Sequence, residues 1–322
     1  MKKIFLFICL SAICWVPMNA SVVKLGDANM DGDVDISDVT ALIDYVLKGV
    51  WTNGNDTDWL NRGDMDLNGE VDISDVTALI NYVLKGIWQG APTNETFSVN
   101  GVSFKMIAVE GGTFLMGGTY SSFEKPIHQV SLSSFAIGET EVTQALWEAV
   151  MGGLPSIITD VNKNPQYPVV CVNWNAVQEF ITNLNEMTGL TFRLLTEAEW
   201  EYAARGGNKS IDYAYSGSNN LDEVAWYYSN SDNHLHQVAC LRPNELGVYD
   251  MTGNAAEWCN DYFANYYYSN SPSINPQGPE TGGARVHRGG FYTCNTSNCR
   301  LSGRWSCSQT GNEQYLGFRL AL

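Results

Sequence analysis

Two cysteines in the C-terminal part of the chain carry the most specific chemistry of the sequence. Cys294 and Cys299 follow Arg288-Gly289-Gly290 at short spacing. Thiolates are soft ligands that select Cu(I), and two thiols on one short segment can also form a redox pair. The pattern therefore predicts either a catalytic copper(I) site or, if the two sulfurs are bonded to each other, an inert pair.

A disulfide framework is the alternative for these two cysteines and for those elsewhere in the domains. In an oxidising compartment thiols normally pair as disulfides. A bridge between Cys294 and Cys299 would close a short loop, which stabilises a fold only weakly. The sequence leaves the pairing of the remaining cysteines open; these are Cys171, Cys240, Cys259 and Cys307.

Length and composition allow two domains and an export signal. The chain has 322 residues, of which 44% are hydrophobic, enough for one large domain and a small one. Residues 1–20 have the pattern of a secretory signal peptide, with Lys2 and Lys3 before an apolar run and Ala20 at its end. A lipid anchor at Cys14 is the alternative. No later stretch reaches the roughly 18 apolar residues that a membrane helix needs, so we expect an exported protein, extracellular or periplasmic.

The excess of acidic residues limits the kinds of partner that the protein is expected to bind. The formal net charge is −17, and the excess is concentrated between residues 21 and 90. Nucleic acids are bound through cationic contacts to phosphate, so nucleic acid is not an expected partner. The acidic segment instead favours the binding of cations.

The acidic segment contains the same loop twice, in residues 26–38 and in residues 63–75. In each copy oxygen-bearing side chains fall at the EF-hand positions, glycine allows the sharp turn, and the residue after it would donate its backbone carbonyl. Hard oxygen ligands at this spacing suit Ca²⁺; a solvated acidic loop is the alternative. The predicted ligands are Asp27, Asn29, Asp31, Asp33, Asp35 and Asp38 in the first loop and Asp64, Asp66, Asn68, Glu70, Asp72 and Asp75 in the second.

One amphipathic helix is predicted after each loop. A single loop–helix unit cannot bury its apolar face, so the two helices are expected to pack on each other. The predicted contacts join Val39, Leu42, Ile43, Val46 and Leu47 to Val76, Leu79, Ile80, Val83 and Leu84.

This duplicated arrangement resembles a type I dockerin over about residues 24–88, and we assign residues 21–90 to this domain. The resemblance implies a small all-α domain with two EF-hand-like repeats that binds two calcium ions and docks onto a cohesin partner. Ile36-Ser37 and Ile73-Ser74 match the positions where dockerins carry partner-recognition residues. Similar modules that act only as spacers, or that pack within their own chain, are the alternative. Residues 91–99 are polar with proline and predict a linker.

Strands of the large domain, residues 100–322, are predicted from apolar runs. Residues 104–109 and 113–116 are expected to form a hairpin around Gly111-Gly112, and residues 130–137 another strand.

Two helices are predicted in the same domain. Apolar spacing predicts a helix over residues 175–187, ended by Gly189. Thr196-Glu197-Ala198-Glu199 is a capping box that begins a second helix, ended at Gly206-Gly207. The second half of the domain is loop-rich, so buried metal ions or disulfides are expected to order it.

A series of ordered motifs makes the large domain recognisable. They are Val109-Glu110-Gly111-Gly112-Thr113-Phe114-Leu115-Met116-Gly117, Glu141-Val142-Thr143, Val172-Asn173-Trp174, Arg193-Leu194-Leu195-Thr196-Glu197-Ala198-Glu199-Trp200, Gly247-Val248-Tyr249-Asp250-Met251-Thr252-Gly253-Asn254, Arg285-Val286-His287-Arg288-Gly289-Gly290 and Leu316-Gly317-Phe318-Arg319. In this order they resemble the formylglycine-generating enzyme (sulfatase-modifying factor) family. The resemblance implies an α+β fold that is irregular and similar to a C-type lectin, with bound calcium.

The resemblance also implies an activity. Oxidase members of the family convert a cysteine in a sulfatase Cys-x-Pro-x-Arg segment to formylglycine, using O₂ and a Cu(I) held by two cysteines. Cys294 and Cys299 match those two in position, which implies that both are catalytic and bind Cu(I), with a sulfatase-type or other exported polypeptide as substrate. Relatives that keep only the second cysteine have no known oxidation. A non-catalytic peptide- or glycan-binding module recruited by its dockerin, and an oxidative enzyme acting on another thiol or amino acid, stay open as alternatives.

Residues around the cysteines refine this expectation. Arg288, Arg300 and Arg304 are basic neighbours that would lower the pKa of the thiols, or they pair with structural carboxylates instead. Two departures from the family pattern stand out: Phe291 occupies the place of a serine, and Ala256 the place of a tryptophan expected to line the substrate groove.

A further calcium site is implied in the large domain. The segment from Asp250 to Glu257 matches a calcium loop of the family, with Asp250 and Glu257 binding by side chain and Gly253 and Ala255 by carbonyl. As an alternative, Asp250 caps a helix and Glu257 forms an ion pair.

Overall fold

The computed structural model describes Ala28, Val34, residues 36–48, Gly63, Met65, residues 71–85 and residues 94–322. The proposed signal peptide, residues 1–20, lies outside these described residues. Within them, no helix combines the length and the apolar character needed to cross a membrane.

The N-terminal module contains two packed helices, α1 (Ile36–Lys48) and α2 (Ile73–Lys85). Their apolar faces meet as the shared sequence pattern predicts, because Val39, Leu42, Val76 and Leu79 are buried in one cluster. The prediction is wrong for Leu47, which is 75% exposed. The side chains of Val83 and Leu84, and most of both loops, lie outside the described residues, so the all-α shape of the whole module stays a prediction.

The large domain is a mixed α+β structure built on three sheets. Its strands are β1 (Glu95–Val99), β2 (Val102–Val109), β3 (Gly112–Met116), β4 (His128–Leu132), β5 (Phe135–Gly138), β6 (Arg193–Leu194), β7 (Ala256–Tyr262), β8 (Arg285–Arg288), β9 (Trp305–Cys307), β10 (Leu316–Phe318) and β11 (Leu320–Ala321). A five-stranded antiparallel sheet has the order β1-β2-β5-β11-β6, and a four-stranded sheet has the order β10-β7-β8-β9, in which only β10 and β7 are parallel. Strands β3 and β4 form a separate pair.

Three sequence predictions about strands are corrected. The hairpin of residues 104–109 with 113–116 does not form, because β2 pairs with β1 and β5 while β3 pairs with β4. Residues 130–137 are divided between two strands in different sheets. The predicted linker contains β1, which belongs to the large domain because Phe97 packs edge-on against Phe192 at 5.4 Å.

Helices α3 (Gln144–Met151), α4 (Trp174–Thr188) and α5 (Glu197–Ala204) cover the sheets. The predicted helix of residues 175–187 is confirmed as α4, which begins after Asn173, whose side chain accepts the Ala176 N–H, and ends at Gly189 in a left-handed conformation. The capping box is also confirmed: Thr196 and Glu199 accept each other's backbone N–H groups at the start of α5.

Two apolar cores hold these layers together. In the larger one, Trp147 of α3 stacks on Phe180 of α4 at 5.3 Å, and Phe318 of β10 meets both rings edge-on. Helix α5 is buried along its whole length in the second core. The chain after β8 and before β9 forms the loop that carries both candidate cysteines.

Candidate functional site

The two cysteines lie side by side in the loop between β8 and β9. Cys294 Sγ and Cys299 Sγ are 3.4 Å apart, and both cysteines are free. Their exposed fractions are 4% and 0%. A zinc–thiolate bond is about 2.3 Å long, so an ion of similar size that touches both sulfurs at this separation would be held at a bent angle, and a linear arrangement needs the sulfurs farther apart. The two soft sulfur donors themselves fit Cu(I).

Glycines at the end of β8 bring the loop back onto itself. Gly289 and Gly290 have φ values of 97° and 75°, a conformation that side chains with a Cβ rarely adopt. A Cβ on Gly290 would lie 2.9 Å from the Asn298 carbonyl oxygen and 3.1 Å from Cys294 Sγ. The sequence Arg288-Gly289-Gly290 thus positions Cys294 by leaving space that only glycine leaves.

The pKa values of the two thiols are shifted in opposite directions. Hydrogen bonds from the Cys299 thiol and from the Phe291 N–H, 3.4 Å and 3.2 Å long, lower the pKa of Cys294. The interaction with Cys294, together with burial, raises the pKa of Cys299. Of the two thiols, Cys294 therefore loses its proton first, while Cys299 keeps its proton and donates it to Cys294 Sγ.

The neighbouring arginines do not act on the thiols, and the expectation that they lower the cysteine pKa is wrong. Each guanidinium is held by a buried carboxylate instead. Arg304 makes bonds of 2.7 and 2.6 Å with Glu197, Arg300 makes bonds of 2.8 and 2.7 Å with Glu124, and Arg288 is paired with Glu201. These ion pairs hold the cysteine loop in place and do not set the charge of the thiols.

An apolar shell surrounds the sulfurs. Leu221, Ala225 and Tyr227 are buried around the cysteine pair, and Phe291 packs against it. Such a shell suits a soft, weakly hydrated ion and excludes water from the thiols.

A groove opens next to this shell. It encloses 690 Å³ and is lined on one side by Gly290 and Phe291 of the cysteine loop. Its other walls include Ala256, His287 and Trp305 of the four-stranded sheet. This volume falls within the range of about 300–1,000 Å³ that is usual for ligand sites.

Phe291 contacts both the groove and the cysteine pair. Its ring stacks on Tyr315 with 3.8 Å between ring centres and an interplanar angle of 14°. Since its own N–H donates to Cys294, movement of this residue would affect both the groove and the thiol. Phe291, which stands where the family pattern has a serine, therefore borders both the groove and the thiols.

The predicted calcium segment of the large domain forms a buried acidic cluster. Asp250 and Glu257 lie near Arg319 and a third carboxylate, Glu141. Burial raises the pKa of Asp250 to about 6 and that of Glu141 well above its ordinary value. These raised pKa values favour the protonated forms of Glu141 and Asp250, which leaves Glu257 as the carboxylate paired with Arg319.

Glu257 is engaged by protein donors. Its two oxygens accept from Arg319 at 2.7–3.1 Å and from Trp200 Nε1 at 2.8 Å. The ion-pair role that the sequence left open is thus filled. The N–H of Gly253 donates to Gly289 and that of Ala255 to Glu141. In the part of the chain that is described, no three His, Cys, Asp or Glu side chains are grouped to hold a metal, so calcium here stays a prediction.

Sequence reasoning missed Glu124 and Glu141 as contributors to these sites. Glu124 is 1% exposed and holds Arg300 from a loop far away in sequence. Glu141 lies in a motif that supported the family resemblance, but nothing in its spacing pointed to Asp250. Only the folded chain brings these carboxylates to the site.

The calcium loops of the N-terminal module are described in part. Asp38 and Asp75 are fully buried in the first turns of α1 and α2. Asp72 accepts the N–H and the hydroxyl of Ser74, both at 2.7 Å, and Asp75 accepts the Asp72 N–H. The other predicted ligands lie outside the described residues: Asp27, Asn29, Asp31, Asp33, Asp35, Asp64, Asp66, Asn68 and Glu70.

Comparison with known proteins gives both modules a family. The model of the sulfatase-modifying factor enzyme 1-like domain matches residues 92–322, and the model of the dockerin type I domain matches residues 25–84. The formylglycine-generating enzyme of Streptomyces coelicolor is 32% identical over 67% of this chain and 88% of its own length. The chaperone protein LppX of Paenibacillus barcinonensis is 33% identical over 67% of this chain and 89% of its own.

A solved structure supports the same assignment. Treponema denticola variable protein 1 superposes with a TM-score of 0.66 and 34% identity, over 71% of this chain and 99% of that one. The predicted family resemblance is therefore confirmed, and the chain belongs to the formylglycine-generating enzyme (sulfatase-modifying factor) family and carries a type I dockerin domain in front of that domain.

Proposed function

We propose that the large domain is a copper-dependent oxidase that converts a cysteine of a Cys-x-Pro-x-Arg segment in an exported, sulfatase-type polypeptide to formylglycine. The observation that supports it is the pair of free thiols, Cys294 and Cys299, with sulfurs 3.4 Å apart beside a groove. Family membership and the similarity to a formylglycine-generating enzyme agree with it.

The reaction requires both oxygen and a reductant. The substrate carbon loses its sulfur as H₂S and gains a carbonyl oxygen from the overall reaction with O₂. The second oxygen atom leaves as water, which requires two electrons and two protons from a thiol reductant. Copper bound by Cys294 and Cys299 would supply the capacity to react with O₂ at a soft centre.

The protein's own groups would prepare this site. Hydrogen bonds from the Cys299 thiol and the Phe291 N–H would favour ionisation of Cys294, and the apolar shell would keep water from the sulfurs. The adjoining groove would hold the substrate as an extended segment.

A peptide assay tests the proposal. The full chain is incubated with Cu(I), O₂, a thiol reductant and a Cys-x-Pro-x-Arg peptide, and the peptide mass is followed. We expect the mass loss that corresponds to exchange of H₂S for oxygen. Cys294→Ser and Cys299→Ser should abolish it, whereas Cys240→Ser, which changes an exposed free cysteine, should leave it intact. No product with the parent chain would contradict the proposal.

A binding module without catalysis is the second candidate. It is favoured by the Phe291 ring, which stacks on Tyr315 and borders both the groove and the thiols, and by the similarity to a protein named as a chaperone. In that case, peptide binding would persist in Cys299→Ser and no modified peptide would form with any variant.

For the N-terminal module we propose calcium-dependent docking onto a cohesin-type partner outside the cell, following export directed by residues 1–20. The exposed Ile36 at the start of α1 supports a recognition surface there. Pull-down with a cohesin panel in calcium and in EGTA tests it. We expect capture only in calcium, and capture lost in Ile36→Asp combined with Ile73→Asp. Failure of every cohesin to bind in calcium would favour the spacer alternative.

A further inference from the structure

Two histidines outside the cysteine site and the buried acidic cluster lie side by side. The rings of His234 and His236 have their centres 4.7 Å apart, with 34° between their planes. The other face of His236 is covered by Trp226, which stacks on it at 3.7 Å and 12°. Both histidines are half-buried. Two imidazoles are therefore held next to each other at the surface of the large domain.

Hydrogen bonds define which nitrogen of each ring is free. His234 Nδ1 lies 2.8 Å from the Leu235 carbonyl oxygen, and His236 Nε2 lies 2.9 Å from that of Ser231. A carbonyl oxygen only accepts, so each of these nitrogens carries the hydrogen. In a neutral imidazole the other nitrogen then holds a lone pair. The two lone pairs are on His234 Nε2 and His236 Nδ1.

Both lone pairs are available to a ligand from solvent. Neither nitrogen has a protein partner, and neither is among the buried polar atoms that lack one, unlike Nε2 of His128 and Nδ1 of His287. Burial lowers the pKa of His236, and the neighbouring His234 lowers it further. His236 is therefore neutral at physiological pH, and neutral imidazole is the form that binds metal ions.

The pair has the donors and the supporting bonds of a metal site. A metal–imidazole bond is about 2.0–2.1 Å long, so an ion between rings 4.7 Å apart could bond one nitrogen of each after small side-chain rotations. Ligating histidines usually donate their other N–H to a carbonyl or carboxylate, as both do here. Within the described residues no third His, Cys, Asp or Glu completes a cluster, so water would fill the remaining positions.

From this geometry we infer that His234 and His236 form a surface site for one divalent transition-metal ion, of the class of Ni²⁺, Zn²⁺ and Cu²⁺, bound through His234 Nε2 and His236 Nδ1. Imidazole suits these ions, whereas the thiolates of the cysteine pair select Cu(I). The site lies on a segment that is bonded to the cysteine loop, because Ser231 Oγ donates to the Tyr292 carbonyl at 2.6 Å. It uses no residue of that loop and does not rest on the proposed oxidation.

Calorimetric titration with Ni²⁺ tests the inference. The full chain is titrated in excess Ca²⁺, which keeps the oxygen-rich loops of the N-terminal module occupied. We expect binding that His234→Ala and His236→Ala each weaken by at least about tenfold. The control is His128→Gln, because His128 also bonds a carbonyl through Nδ1 but has its Nε2 buried. No binding by the parent chain, or equal affinity in the parent and both alanine variants, would overturn the inference.

A spectroscopic measurement on the parent chain locates the ion without any substitution. Ni²⁺ is paramagnetic, so the imidazole signals of His234 and His236 should broaden first when isotope-labelled histidine is followed by NMR. Those of His128 and His287 should persist at the same Ni²⁺ concentration. Cys294→Ser combined with Cys299→Ser should leave this broadening unchanged, whatever the outcome of the peptide oxidation assay. Broadening that begins at another histidine, or that disappears in the cysteine variant, would place the ion elsewhere and overturn the assignment.

Discussion

The N-terminal module and the large domain assemble their candidate ion sites in different ways. In the module, hard oxygen donors are contiguous in sequence, as in the bond from the Asp72 N–H to Asp75. In the large domain, two soft sulfurs lie on one loop, but that loop is held by partners far away. Arg300 and Glu124 are 176 residues apart, and Arg288 and Glu201 are 87 apart.

The calcium loops and the cysteine loop therefore differ in what they need in order to form. A contiguous loop needs only its own residues and the ion to take shape. The cysteine loop depends on a buried set of ion pairs and therefore on the folding of the whole domain. Ion binding should thus stabilise the module strongly, whereas the loop should be preformed by its protein partners.

Loss of a buried ion pair should produce the largest effect on stability. Glu201→Gln removes the carboxylate that holds Arg288, and both side chains have no exposed surface. Breaking such a pair leaves a buried charge uncompensated and costs about 3–5 kcal/mol. Urea unfolding of the large domain, followed by tryptophan fluorescence, measures it.

The control for this variant is Glu223→Gln, which removes the partner of Arg242 in a pair that is about half exposed on both sides. It should leave stability nearly unchanged. Similar losses for both variants would mean that the cysteine loop does not depend on the buried pairs.

Removal of calcium should act on the module and spare the large domain. At a calcium concentration one hundred times the dissociation constant, binding contributes about 2.7 kcal/mol to the folded state. Hydrogen exchange of residues 36–48 and 73–85 in the full chain should accelerate in EGTA, and in Asp38→Asn or Asp75→Asn. Asp44→Asn, on the same helix but outside the loop, serves as the control. Unchanged exchange in EGTA would contradict the calcium assignment.

The free energy of unfolding should depend on pH through the ionisation of Asp261 in β7. Burial raises its pKa from 3.8 to about 8 in the folded state, so the folded chain holds a proton that the unfolded chain has released. Stability from this residue is therefore complete below the unfolded pKa and is lost as pH rises towards 8, at about 1.4 kcal/mol per pH unit. His287 has the opposite effect, because its pKa is lowered in the folded state. Its contribution to stability increases as pH rises from its folded pKa of about 4 to its ordinary value of 6.5.

Between pH 6.5 and 8, Asp261 should thus account for a decline that Asp261→Asn removes. Asparagine can still accept the Glu197 N–H, a bond of 2.8 Å in the parent. Urea unfolding at several pH values in this window gives the comparison. Parallel pH profiles for the two proteins would show that Asp261 is ionised in the fold.

The smallest expected effect is on thiol reactivity. Cys299→Ala removes the hydrogen bond that lowers the pKa of Cys294, so alkylation of Cys294 at neutral pH should become slower. Cys240→Ala, at an exposed free cysteine, should leave the rate unchanged. The pH dependence of iodoacetamide labelling of Cys294, read by mass spectrometry, gives the comparison. An unchanged labelling rate in Cys299→Ala would contradict the hydrogen-bond explanation.

Local patterns predicted the parts of the fold whose causes are local. The capping box at Thr196 and Glu199, the helix ended by Gly189, and the apolar faces of α1 and α2 follow from residues within a turn or two of one another. Motif order was enough to recognise the family, and the spacing of Cys294 and Cys299 placed both on one loop.

Long-range pairing could not be read in the same way. The strand β2 pairs with β1 and β5, and its Phe104 packs against Phe97 and Phe192, although Gly111-Gly112 favoured a hairpin with β3. In the sequence, the arginines near the cysteines cannot be distinguished from basic groups that lower the pKa of a thiol. Only the folded chain shows that they form ion pairs with Glu124, Glu197 and Glu201.

Cu(I) binding by the full chain under anaerobic conditions tests the central claim most directly. Titration against a competing chelator, with native mass spectrometry for stoichiometry, should give one tightly held copper per chain. Cys294→Ser and Cys299→Ser should each abolish it, and Cys240→Ser should not. Copper that binds equally well to all three variants, or to none of the proteins, would contradict a metal site at Cys294 and Cys299.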